Sequence, residues 1–344
     1  VLGEQHGSAA GGTGGGGAGI RPPGGWQPGG GRPGGWQTGV VRPIHQRPNW
    51  ANINNITINN IHNNWVNTIV RPGVPGWYRP GPGFNHWNAW GTNVRNHWGY
   101  VHWHNDWFRP NWWGNHWNRW PGWHYGWQFN NFGWQHWWGV PTWNALTNWF
   151  VWTGYPANVW SQPVFYDYGS TGNVVFQDNS VYIGGQRVAS APEFAQSAAA
   201  LATVEAPANE EEAAAAEWMP LGTFAVSTHE KETEPSRIIQ LAVDRQGIIS
   251  GTMVNTLTDE SQPVQGQVDK ETQRVAFRIG ENQDVVAETG LYNLTQDEAP
   301  LLVHYGPDRR ENYLLVRLEA PADDADAASG GAVPGGPGDP FGGR

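Results

Sequence analysis

From Trp218 to Glu319 the chain is built of short runs in which apolar and polar positions trade places, each run ended by turn residues. Apolar side chains at every second position mark one face of a strand, as in Arg274-Val275-Ala276-Phe277-Arg278-Ile279. Candidate strands fall at 221–228, 236–244, 247–257, 262–268, 273–279, 284–292, 300–305 and 311–318. Asp244-Arg245-Gln246-Gly247, Asp269-Lys270-Glu271-Thr272 and Gly306-Pro307-Asp308 supply turns between them. Strands recurring every roughly 8–12 residues predict an antiparallel β-barrel or sandwich. Eight of them suffice to close a barrel filled by its own side chains.

Just upstream, Val164-Phe165-Tyr166-Asp167-Tyr168, Asn173–Gln177, Ser180–Ile183 and Gln186–Val188 read as short strands of a β-meander, punctuated by Asp178-Asn179 and Gly184-Gly185. Ser190 then caps a helix of about 191–204, with Pro192 and Glu193 in its first turn. A Glu/Ala run at 209–217 prolongs that helix or forms an exposed linker.

Residues 52–67 have neither clear period. The pentad Ile-Asn-Asn-Ile-x occurs in tandem at 53–57 and 58–62. β-Branched Ile favours strands and Asn side chains can stack in ladders, whereas both rank low in helix propensity. The expectation is a strand seeking a neighbour.

Residues 77–160 carry 19 Trp, many three or four apart, as in 113–117–120–123–127. That spacing suits short helical turns. Pro110, Pro121, Pro141 and five glycines from Gly114 to Gly139 interrupt longer ones. The prediction is an irregular module packed by aromatic rings. Before it, residues 1–48 hold 17 Gly and 6 Pro, with Gly-Gly-Trp-Gln at 24–27 and 34–37. Seven of the nine arginines before residue 161 precede Pro, so this arm is expected to be extended.

The fold class is thus mainly β with irregular regions. Its segments are a Gly/Pro-rich arm (1–48), an Asn/Ile strand (49–76), a Trp/His/Asn-rich module (77–164), a β-meander (165–190), a helix with acidic linker (191–217), the barrel or sandwich (218–319) and a disordered acidic Gly/Pro tail (320–344).

Charge separates the same halves. Residues 1–160 sum to +7, from nine Arg against Glu4 and Asp106, and residues 161–344 sum to −17, from 28 acids against 11 bases. A charge of +7 over 160 residues is thin for phosphate-driven binding, so no nucleic-acid partner is expected. No apolar run approaches the roughly 20 residues of a membrane helix. The absence of Cys excludes disulfides, thiolate metal sites and cysteine nucleophiles. A chain that begins at Val1 without a signal-peptide pattern reads as a trimmed product.

Candidate chemistry is sparse. Gly12-Thr13-Gly14-Gly15-Gly16-Gly17 fits G-x-G-x-x-G only as any glycine run does, with no strand before it and no helix after. Paired carboxylates, which glycoside hydrolysis requires, are not recognisable; an enzyme is not expected, and no cofactor. His102 and His104 are the tightest histidine pair and the weak candidates for a metal; the competing reading makes them polar partners of Trp. Exposed Trp can stack on sugars, with Asn, Gln and His supplying hydrogen bonds, yet 19 Trp exceed any binding site, so most belong to a core or interface. Asn55 and Asn293 head N-x-[ST] sequons, possible glycosylation sites.

The order of a Gly/Arg-Pro arm, an Asn-Ile-Asn-Asn tract, a Trp/His/Asn module, Phe165-Tyr166-Asp167-Tyr168-Gly169, Val174–Gln186 and a domain containing Glu288-Thr289-Gly290-Leu291-Tyr292-Asn293-Leu294-Thr295 resembles large secreted or surface proteins of planctomycete bacteria, often labelled protocadherin-like. The resemblance implies a location on the cell exterior and brings no catalytic residues.

The leading expectation is a structural, self-assembling surface protein, the subunit of an extracellular fibre or sheath. Its partner is itself, with strand and arm docking by β-addition and Trp-rich contacts between copies. The residues expected to carry assembly are Trp26, Trp36, Ile53, Ile56, Ile58, Ile61, Trp103, Trp107, Trp113 and Trp117. The alternative is an adhesin that holds surface glycan on exposed Trp. A carrier using the barrel interior ranks third, because its apparent inward positions are bulky.

Overall fold

The computed structural model describes residues 47–69, 84–98, 107–109, 112, 134–151, 162–204, 215–280 and 282–320. Residues 1–46 of the arm, 321–344 of the tail and the positions of Trp26, Trp36, His102, Trp103, His104, Trp113 and Trp117 lie outside them.

The C-terminal pattern closes into an eight-stranded antiparallel barrel of β4 (Trp218–Ser227), β5 (Arg237–Asp244), β6 (Ile248–Asn255), β7 (Glu260–Asp269), β8 (Arg274–Ile279), β9 (Val285–Gly290), β10 (Glu298–Tyr305) and β11 (Arg309–Arg317). Pairing β11 back onto β4, with Leu315 opposite Val226, leaves no free edge. All eight sequence-based strands are present; the barrel is the form they take. Before it, β1 (Val174–Gln177), β2 (Ser180–Ile183) and β3 (Gln186–Ser190) make a three-stranded meander. Val164–Tyr168 is not a fourth strand. It stays extended and makes a single bridge, Tyr168 to Val174, its main chain held by side chains instead.

Four α-helices occur among the described residues: α1 (Asn55–Ile69), α2 (Phe84–Trp98), α3 (Trp143–Trp149) and α4 (Ala191–Leu201). None is long and apolar enough to cross a membrane. α4 is capped as anticipated, with Ser190 and Glu193 in a reciprocal capping box.

α1 overturns the strand expected at 49–76. Asn54 Oδ1 accepts the Thr57 backbone N–H at 2.8 Å and starts the helix. Ile58, Ile61, Trp65 and Thr68, three and four apart, then turn to the protein, while Ile56 is 74% exposed. Low propensity costs only tenths of a kcal/mol per residue. Burying Ile61 and Trp65 in a cluster with Tyr166 and Phe194 returns about 1.5–3 kcal/mol for each large side chain. α2 likewise gives the Trp-rich region one uninterrupted 15-residue helix where short turns were expected, because no proline falls between Pro82 and Pro110.

Two apolar layers share the barrel wall. Phe224, Ile239, Leu241, Val264, Phe277, Leu301 and Leu315 fill the inside, joined by Leu146 and Phe150 of α3 and its C-cap. Intervening positions on β4, β5, β6 and β11 (Ala225, Ile238, Ala242, Val254, Leu314, Val316) face outward and are covered by Trp87, Trp90, Val94, Trp107, Phe108, Trp112, Trp137 and Trp138. The described tryptophans of this cluster therefore clad the barrel of their own chain.

Candidate functional site

A cleft of about 800 Å³ lies between α2, the Asp167–Thr171 segment, the β4–β5 loop and β11. α2 contributes His86, Trp87 and Trp90. The indoles, three residues apart on one helix face, stack at 5.6 Å and 24°, and His86 meets both edge-on. Trp90 Nε1 donates to Ser227 Oγ at 2.8 Å, and Trp87 Nε1 to Asp167 Oδ1 at 2.9 Å. These two bonds tie α2 to the barrel and to the segment before the meander.

Asp167 is set in place by its neighbours. Its backbone N–H donates to Asn173 Oδ1 at 2.9 Å, its carbonyl accepts from Val174 N–H at 3.1 Å, and Asn173 Nδ2 donates to Phe165 O at 2.6 Å. Only glycine fits at 172, where a Cβ would come within 2.0 Å of the Asp167 carbonyl oxygen. Asp167 is 4% exposed, and its Oδ2 has no hydrogen-bond partner. Burial pushes its pKa up, against the Trp87 hydrogen bond and the nearby His86. The adjoining Tyr168 hydroxyl is also buried without a partner, and burial drives its pKa well up. A buried polar atom left unpaired costs about 1–3 kcal/mol, a cost that Asp167 Oδ2 carries in this wall.

The opposite wall is exposed and charged. His86 Nε2 lies 3.4 Å from Glu230 Oε1, with the glutamate side chain 63% exposed, and His229, Lys231 and Thr228 complete the loop. Glu232 braces that loop by accepting from the Thr228 backbone N–H at 2.5 Å and hydroxyl at 2.8 Å.

A second groove, about 360 Å³, runs between α1, α4 and the barrel. His62 sits there 2.9 Å from Glu271 and 3.4 Å from Asp269. Beneath it, Arg274 pairs with the fully buried Glu288 at 2.5 Å, and His304 meets the other Glu288 oxygen at 2.9 Å. The Arg274 guanidinium also donates to Ser197 and to Phe194 O, and stands over the Trp65 and Phe194 rings. Each guanidinium nitrogen of Arg274 has an acceptor, so this network is a fastening between α1, α4 and barrel. No group of three or more metal-ligating side chains suited to an ion occurs among the described residues.

Of the residues expected to meet another copy, Ile53, Ile61 and Trp107 are buried in their own chain, and Ile58 packs partly against it; Ile56 is exposed. Asn55 is exposed, but Asn293 is fully buried and hydrogen-bonded on both amide atoms. Its sequon is closed to a glycan in the folded chain. Sequence reasoning did not single out Asp167, although a lone acid among Phe165, Tyr166 and Tyr168 is an unusual placement. Comparison with protein-family models, curated proteins and solved structures finds no match to this chain.

Proposed function

We propose that the chain is a non-catalytic binding protein of the bacterial cell exterior that holds a surface glycan in the α2 cleft. The observation that carries this reading is the free Oδ2 of Asp167 beside the stacked Trp87–Trp90 pair. A sugar brings the matching chemistry, hydroxyl donors for a fixed acceptor. Hydrolysis would need a second positioned carboxylate, and Glu230 is 63% exposed at the rim and paired with His86. The exterior location rests on the resemblance to planctomycete surface proteins.

The test is an array of surface polysaccharides probed with the full chain, followed by calorimetry on any hit. Saturable binding that Asp167→Ala weakens about tenfold or more supports the reading. Failure to bind any glycan, or release of reducing ends, overturns it. Assembly into a fibre or sheath is a separate proposal carried by the arm at 1–48, and light scattering of the full chain against one lacking the arm tests it.

A further inference from the structure

Resting on the glycan reading, we infer that the cleft selects a cationic sugar, a hexosamine whose free ammonium sits on Asp167 Oδ2. Only 4% of Asp167 is exposed, and its one occupied oxygen accepts from a neutral indole N–H. A neutral hydroxyl would satisfy Oδ2 geometrically but leave a desolvated charge uncompensated. An ammonium does both, and charge-assisted hydrogen bonds are about twice as strong as neutral ones.

Among the described residues no ion pair forms with Asp167. His86, the nearest imidazole, is turned to Glu230. Lys231 lines the cleft but makes no ion pair among the described residues. With the histidines neutral, Asp167 and Glu230 against Lys231 leave the lining at −1, which disfavours uronic or sialic acids. Asn173 and Gly172 hold the Asp167 backbone in place, and the Trp87 indole holds its side chain. Trp87 and Trp90, buried against the barrel, line the cleft beside the carboxylate. N-Acetylation would remove the charge and add bulk at the same atom.

Calorimetry of the full chain with three oligosaccharides tests this: glucosamine oligomers, their N-acetylated counterparts, and glucose oligomers of equal length. The expected result is that the glucosamine oligomer binds about tenfold or more tighter than either. Asp167→Asn, which keeps the acceptor for Trp87, should erase that preference while the thermal midpoint holds. Lys231→Met, which removes the competing positive charge, should tighten it. If the neutral or acetylated oligomers bind as well, the amino-sugar inference fails and the glycan reading stands; if none binds, both fail. An unchanged preference in Asp167→Asn would mean that surface acids capture the polycation, and the inference falls.

Discussion

Asn293 and Tyr166, 127 residues apart, grip each other twice: Tyr166 N–H donates to Asn293 Oδ1 at 2.9 Å, and Asn293 Nδ2 donates to the Tyr166 carbonyl at 2.7 Å. The amide side chain stands in for a neighbouring strand. It satisfies a stretch of backbone that joins no sheet, and that stretch presents Asp167 to the cleft.

Asn293→Ala should therefore destabilise the protein by about 2–4 kcal/mol, because two buried backbone groups lose their partners together. Urea unfolding measures it. In a glycosylating host, intact mass should reveal a glycan lost on Asn55→Gln and no change on Asn293→Gln.

Glu288 binds Arg274 on one oxygen and His304 on the other. Burial alone would raise its pKa, but Arg274 and His304 hold it below the ordinary range. Glu288→Ala leaves a buried guanidinium uncompensated and should cost about 3–5 kcal/mol. A loss under 1 kcal/mol would show that α1 and α4 do not depend on this fastening.

The α1–barrel contact carries a pH dependence. The hydrogen bond to Asp269, with the charges of Asp269 and Glu271, raises the pKa of His62. Asp269, which burial would push up, is held low by His62. The histidine's share of stability is complete below the pKa of an unfolded imidazole, about 6.5, and fades as pH climbs through its raised folded value. The aspartate's share is present above its unfolded pKa, about 3.9, and is lost as pH falls through its lower folded one. Stability contributed by the pair should thus peak in mildly acid solution, between those limits. His62→Gln should flatten the decline above about pH 6.5 in thermal melts.

The helical reading of 55–69 is checked by two isoleucines. Ile61→Ser should cost about 2–4 kcal/mol, as burial of its side chain is lost and a hydroxyl takes its place. Ile56→Ser should change stability by about 0.5 kcal/mol or less, since that side chain is 74% exposed. Equal costs would point away from the helix face described.

Much of the barrel was legible because its signal is local. Each strand carries its own two-residue alternation, and each turn its own Gly, Asp or Asn, so Arg274–Ile279 reads the same alone or in place. The Asn/Ile tract was misread for the opposite reason. Its Ile58–Ile61–Trp65 spacing is helical, but repeated Asn and β-branched Ile speak against a helix until a surface exists to bury that stripe. The cleft was barely legible: Trp87 and Trp90 share a helix face, yet Asp167 meets Trp87 across 80 residues.

Local patterning thus settled the eight strands, the capped helix at Ser190 and the division between a Trp-rich half and an acidic half. Folding decided where the described indoles go. The barrel's outward positions on β4, β5, β6 and β11 are apolar and need cover. The aromatic rings of the same chain are close at hand, and burying them there requires no second molecule and no entropy of association.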